Sequence, residues 1–429
     1  MHVSFLWSLP ALFLLWGCAS YTEKTREIRG QYLSGKYQQA LDELESSGLK
    51  DETNSALLYH LEKAVLLDRL GERPKSRQLL MQANRIADEL YTVSVSKSAA
   101  SYLVNDGVQD YEGELYERVH LHTLLALSFL QDKAKGSARV EARKINTELH
   151  ELTRQLGTEH NAYREDAFAR FLAGLIYEAG GDVDDAIIDY KKALDLYEGP
   201  AYRPFFQGDI PEELISSLYQ LARRRGRKTI QEHLRKGYPG IIQGSGGAPG
   251  DKKLGELVVI HEVGMVAPKQ AKEFIFSFGR QVIRFSYPYL PERYYPAQSA
   301  VGIVPEGQGF IRASNVADIN SIAWQCLEDR RGRMLLKNAS RLLLKGQLTE
   351  HAHSQFGPLG GLAANIYSAV TETADTRSWT LLPGAFYVNR VSLPPGEHRV
   401  TIRHGGRFVG VETVQVRPGS LTLLRSVSS

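Results

Sequence analysis

The sequence predicts an α-helical repeat solenoid followed by an α+β domain with a C-terminal antiparallel β-sheet. Three observations point there. A frame of small residue, aromatic, turn and small residue recurs at helical spacing across residues 22–236, nearly free of proline before Pro200. Residues 237–250, GYPGIIQGSGGAPG, are rich in Gly and Pro and read as a flexible linker. Beyond them the apolar residues fall into short alternating runs, with Pro-Gly turns between the last of these. Hydrophobic residues make up 43% and charged residues 24%, ordinary globular usage that excludes a largely disordered chain and a polytopic membrane protein. A net charge of +3 gives no case for nucleic acid as a partner, which needs a concentrated basic face.

Residues 3–17 form an uncharged apolar run that holds Pro10. At a helical rise of about 1.5 Å per residue it reaches only about 22 Å, short of a hydrocarbon core of about 30 Å. That length suits the apolar region of a secretory signal. The run ends in Leu15-Trp16-Gly17-Cys18, which resembles the lipobox of bacterial lipoproteins: leucine three residues before the cysteine, a small residue just before it. The resemblance implies a signal peptide over residues 1–17 and lipidation of Cys18. Two or more acyl chains, at about 0.8 kcal/mol per buried methylene, make a stable anchor. Ala19 after the cysteine implies sorting to the outer membrane, with the mature chain on its periplasmic face. The competing reading is an uncleaved signal anchor, or a plain signal peptide whose cysteine is incidental.

The helical array is clearest over residues 171–197, FLAGLIYEAGGDVDDAIIDYKKALDLY. Gly174, Tyr177, Ala186, Tyr190 and Ala193 fall at the spacing of a tetratricopeptide repeat (TPR). Gly174 and Ala186 are small where two antiparallel helices cross closely, and the tyrosines fill the space between. Looser copies surround Ala40, Ala64 with Gly71 and Ala83, and Ala126 with Gly136 as the turn and Ala138. A further pair is expected across residues 211–236, giving four or five helix pairs in a domain over 18–236. The concave face of such an array binds peptides or proteins; an irregular helical bundle is the competing reading. Residues 92–111 form a long interruption. At its exit, Asn105, Asp106, Tyr111, Glu114, Tyr116, Glu117 and Arg118 are candidate partner-binding residues, or else cap the next helix.

The one dense basic run, residues 223–228, reads either as a lipid-phosphate contact or as cations placed at a helix C-terminus. In the expected α+β domain, residues 251–429, strands are expected at 256–263, 281–287, 385–393, 398–404, 408–416 and 421–427, and a helix over 317–351. Asp375, Arg377 and Trp379 share one face of an extended chain. A carboxylate, a guanidinium and an indole there could bind a sugar, a peptide end or a partner carboxylate, or form a structural ion pair beside a packed tryptophan. His120 with His122 and His351 with His353 lack metal-ligand spacing, and no nucleophile elbow or Walker loop is present. No cofactor and no metal are expected, and Cys326 reads as a small buried hydrophobe.

Several segments together resemble an uncharacterised family of bacterial TPR lipoproteins of the cell envelope. They are the lipobox, residues 111–143, the repeat at 171–197, residues 255–268 and ADTRSWTLLP at 374–383. Members are often encoded near an outer-membrane activator of peptidoglycan synthases, which implies cell-wall work. The expected function is a non-enzymatic, lipid-anchored scaffold binding periplasmic or outer-membrane proteins. The alternative is a glycan- or peptide-binding or hydrolytic module centred on the C-terminal domain.

Overall fold

Helix pairing organises the first half of the computed structural model, which describes residues 20–97, 109–156, 163–244, 254–278, 281–291, 300–336, 340, 351, 354–355 and 373–428. A short α1 (Tyr21–Lys24) leads into α2 (Arg26–Leu33) and α3 (Tyr37–Ser46), α4 (Ala56–Arg69) and α5 (Arg73–Lys97), α6 (Leu115–Gln131) and α7 (Lys135–Leu156). Then come α8 (Ala167–Gly180) and α9 (Val183–Glu198), α10 (Glu212–Arg224) and α11 (Lys228–Gly237), and a short α12 (Pro239–Gly244). These five pairs form a TPR-like array.

The turn inside each pair carries one left-handed residue, at Gly35, Gly71, Lys133, Gly181 and Gly226. This corrects the third copy. The turn residue is Lys133, at φ 59, and Gly136 lies inside α7. Gly174 meets Tyr190 where α8 crosses α9: a Cβ there would stand 2.4 Å from the tyrosine ring. Tyr177, Ala186, Tyr190 and Ala193 are all buried in this crossing.

Two stretches are more helical than expected. Residues 92–97 complete α5, and residues 239–244 of the Gly/Pro-rich stretch form α12 against α10, beside Tyr238, whose hydroxyl donates to Glu198 at 2.7 Å. One stretch starts later. Ala317 and Asp318 pair with Phe386 and Ala385 as the end of a strand, and the helix, α13, starts at residue 319 and is described through 336; residues 337–339 and 341–350 lie outside the described residues. Asp318 caps it by accepting from the Ser321 N–H and hydroxyl.

The strands are β1 (Gly255–Val263), β2 (Gln270–Phe278), β3 (Gln281–Tyr289), β4 (Val301–Pro305), β5 (Ile311–Arg312), β6 (Ser314–Asp318), β7 (Ala385–Leu393), β8 (Gly396–His404), β9 (Arg407–Val416) and β10 (Leu421–Ser428). They form two four-stranded sheets, β10-β1-β7-β6 and β5-β4-β8-β9, and a separate two-stranded ribbon, β2-β3. Pairing is antiparallel except between β1 and β10, which run parallel from Glu256↔Leu421 to Val263↔Ser428. The last four strands are shared between the two sheets.

Side-chain alternation along β1 defines three layers. Val258 and Ile260 join the apolar core of the helical array, while Leu257 and Val259 join Ile303, Val400, Ile402 and Val414 of the second sheet. The first sheet is thus buried on both faces, between helices and a second sheet. A single apolar cluster runs from Ile28 in α2 to Leu421 in β10.

Candidate functional site

The first helices of the later pairs, α6, α8 and α10, turn toward the first sheet and contact β10, β6 and β7. Residues 373–383, which precede β7, cross this inner face as an irregular strap held by buried carboxylates. The Trp379 N–H donates to Glu117 Oε1 at 2.7 Å. The Thr380 N–H and hydroxyl donate to Glu62 Oε1 at 2.8 and 2.7 Å, and the Leu381 N–H donates to Glu62 Oε2 at 2.9 Å. Tyr21 donates its hydroxyl to the same Glu62 oxygen at 3.0 Å. Both glutamates are almost wholly enclosed. Such carboxylates persist in an apolar setting only when donors saturate them, and here the donors are main-chain amides of the strap.

A second group of charges surrounds the start of α6. Glu114 caps the helix and shares a capping box with Glu117. Lys269 and Arg330 both donate to Glu114, and Lys269 also donates to the Arg377 carbonyl at 2.9 Å. Arg377 forms a fork with Asp375, at 2.9 and 2.8 Å, and donates to the carbonyls of Asn54 and Gln109 at 2.8 Å each. Its guanidinium lies 5.4 Å from the centre of the Tyr111 ring, and Tyr111 donates to Glu117 at 2.7 Å. The environments pull the two carboxyls apart. Burial opposes ionisation of Glu114, but Arg330 and Lys269 outweigh it and hold that carboxyl down to about 2. Burial, then the charge of Glu114, pushes Glu117 up to about 7. Burial likewise raises Glu62.

Six of the sequence-derived candidates therefore converge here: Tyr111, Glu114, Glu117, Asp375, Arg377 and Trp379. They meet inside the protein. Trp379, at 0% exposure, fills the interface between strap and array, and its indole N–H meets no acceptor among the described residues. It cannot stack on a sugar. Tyr116 is also buried, and Arg118 pairs with Glu148 at 2.8 Å and Asp88 at 3.2 Å as a helix-packing contact. Neither Tyr116 nor Trp379 faces a partner, because both fill core space. Cys18, Asn105 and Asp106 lie outside the described residues.

Open volume remains beside the strap. A cavity of about 290 Å³ is bounded by Tyr111, Glu114, Lys269, Arg330, Asp375 and Arg377, with β3 at its rim. Each of its three cations is already bonded to a carboxylate, so the cavity is polar without a strong net sign.

Two further ion clusters fix the array to the sheet. Arg425 of β10 forks onto Glu262 of β1 and reaches Asp68 of α4 at 2.8 Å, while Arg69 meets the same Glu262 at 2.7 Å. Arg390 of β7 pairs with Glu178 of α8 at 2.8 Å and with Ser217 of α10 at 2.7 Å. Sequence reading missed Glu62, Lys269, Arg330, Arg390 and Arg425. Glu62 alone left a trace, a carboxylate inside the apolar run ALLYHLEKAVLL.

The other candidates have structural surroundings. His122 bonds Glu141 at 2.8 Å, His120 stacks on Phe386, and His261 bonds Asn389 at 2.9 Å. Cys326 is buried in α13, and burial raises its thiol pKa well above the usual range. His353 lies outside the described residues. The basic run ends α10, and Arg225 and Arg227 pair with Asp184. Among the described residues, no three or more His, Cys, Asp or Glu side chains gather to hold a metal, and no helix is long and apolar enough to cross a membrane.

No protein-family model matches the chain, and no curated protein matches it. Among solved structures, nearly identical TPR-like repeats from Podosopora anserina share 14% identity at a TM-score of 0.32, covering 52% of this chain and 96% of that one. BtubC from P. vanneervenii shares 17% identity at a TM-score of 0.31, covering 53% and 78%. Likenesses this slight add nothing to the helix pairing already described.

Proposed function

We propose that this chain is a non-enzymatic scaffold for protein partners, anchored through Cys18 at the periplasmic face of the outer membrane and serving cell-envelope or peptidoglycan biogenesis. One observation carries the scaffold reading and shifts its docking face. The inner face of the array is filled by the chain's own strap and sheet, whereas among the described residues the second helices α5, α7 and α9 keep apolar side chains at the surface. Successive second helices α5, α7 and α9 expose Met81 (39%), Val140 (45%) and Ile188 (54%). Repeat arrays recognise partners through such extended faces, and isolated apolar side chains among polar ones suit protein contact. The anchor rests on the lipobox resemblance and on the short tether between Cys18 and α1.

Photo-crosslinking in living cells tests this, with the probe placed at Ile188 or Val140 of the full chain. The proposal expects a discrete protein adduct from these positions and none from Thr413 on β9, an exposed site on the far sheet. Adducts at Thr413 alone would contradict it.

A second reading is favoured by the cavity beside Arg377. Its cations and carboxylates suit a small ligand with both an acid and an amine, as at a peptide end, better than a sugar ring. Calorimetry of the full chain with peptidoglycan stem peptides tests this: heat that vanishes in Arg330→Gln supports it, and no heat with any fragment removes it.

A further inference from the structure

The second sheet packs its inner face on the first through Ile303, Ile311, Val400, Ile402 and Val414. Alternation turns the residues between these outward. Across β5, β4, β8 and β9 the register lines up Arg312, Gly302, Arg403 and Phe408 on that outer face. Two further outward pairs follow on β8 and β9, Thr401 with Val411 and Arg399 with Thr413. A bulge in β9, where the register shifts between Ile402 and Arg403, keeps Phe408 and Val411 on one face although they lie three residues apart.

The core uses none of these outward side chains. Phe408 is 64% exposed and Phe310 46%. Phe310 leans over Gly302: a Cβ on that glycine would stand 2.8 Å from the ring. The tip of the Phe310 ring and Phe408 are therefore two strand spacings apart, about 10 Å, with Arg403 on the strand between them. Arg312, Arg399 and Arg403 are exposed, and among the described residues none meets a carboxylate within 4 Å. Exposed cations of the array are placed differently: Lys191 pairs with Asp195, and Arg225 and Arg227 with Asp184. The described strands of the sheet put one carboxylate on this face, Glu397, opposite Gln415.

Two aromatic rings on a flat face, with free arginines among them, select a partner by chemistry. The negative face of an aromatic ring attracts the C–H face of a sugar. Arginine forks onto carboxylates, and the threonine hydroxyls give and accept hydrogen bonds. A phosphate backbone asks for a denser row of cations than three. We propose that the outer face of the second sheet binds a carboxylate-bearing glycan, with Phe310 and Phe408 stacked on sugar rings and Arg403 paired to a carboxylate between them. The site is separate from the docking face of the array, and a glycan there leaves no protein adduct at Thr413.

Two sources share this chemistry: peptidoglycan strands, whose muramic acid units carry the carboxylate, and uronate polymers. Titration calorimetry of the full chain tells them apart, with peptidoglycan strands freed of stem peptides by an amidase in one arm and polygalacturonate in the other. Strands without stem peptides do not probe the cavity beside Arg377. Neutral dextran, polyglutamate and oligothymidylate are the reference polymers. The expected result is heat from one or both acidic glycans and none from dextran, with affinity roughly tenfold lower in Phe408→Ala and in Arg403→Gln. Both side chains are exposed, so the variants should melt with the parent. The proposal is overturned if neither acidic glycan binds, if dextran, polyglutamate or oligothymidylate binds as tightly, or if Phe408→Ala leaves the affinity unchanged.

Discussion

Lys133 holds a backbone that glycine holds in the other four turns, at φ 59. A left-handed residue with a Cβ costs roughly 1–2 kcal/mol. Lys133→Gly should therefore raise stability by about 1 kcal/mol, read as a higher denaturant midpoint with an unchanged slope. The repeat frame puts Gly136 at the turn, whereas the chain closes the turn three residues earlier. Titration gives a second residue-scale prediction. Burial pushes His261 down to about 4, so it stays neutral in the fold but protonates when unfolded. Its contribution is fully present above about pH 6.5 and is lost as pH falls toward 4, up to about 3 kcal/mol. Glu117, pushed up to about 7, acts with the opposite sign: its contribution is present below about pH 4.5 and is lost as pH rises through 7. His261→Gln, which can still donate to Asn389, should lose less stability than the parent between pH 7 and 4.5, measured by thermal melts across that range.

The strap is the element on which the two halves depend, and sequence shows little of it. Asp375, Arg377 and Trp379 stood out by residue type, and capping of the next helix was one of two readings of the group that holds Glu114. What holds the strap is different: main-chain N–H groups of residues 379–381 donating to carboxylates some 260 to 320 positions away. A main-chain donor leaves no mark on residue identity, and a contact that distant has no periodicity. Removing the acceptor tests its weight. Glu62→Leu leaves two buried amides and two hydroxyls without their partner, at about 1–3 kcal/mol for each unsatisfied group before relaxation. The variant should melt well below the parent, while the exposed substitution Lys75→Leu on α5 should not. The TPR-like pairs, by contrast, were legible because each repeats the same local frame.

At the scale of the molecule, the helical array, the first sheet and the second sheet are three layers with a shared core. The layering was half visible. Residues 257–260 of β1, LVVI, are a continuous apolar run, as expected of a strand covered on both faces, but nothing in it says that helices supply one cover. Domain reading from composition separates the halves at the Gly/Pro stretch, whereas Arg425, Glu262, Asp68 and Arg69 join them. Breaking a buried cluster by removing one member typically costs about 3–5 kcal/mol, because its partners are left charged and enclosed. Arg425→Ala should lower stability by that amount and split a single unfolding transition into two. The inner face of the array is occupied by the chain itself, through the strap and the first sheet. Native-state hydrogen exchange of the amides of Trp379, Thr380 and Leu381 tests it most directly. The structure predicts that they exchange only with global unfolding, in step with the core of α4 and α6. Exchange at the rate of an exposed loop, while those helices stay protected, would show an open inner face and contradict it.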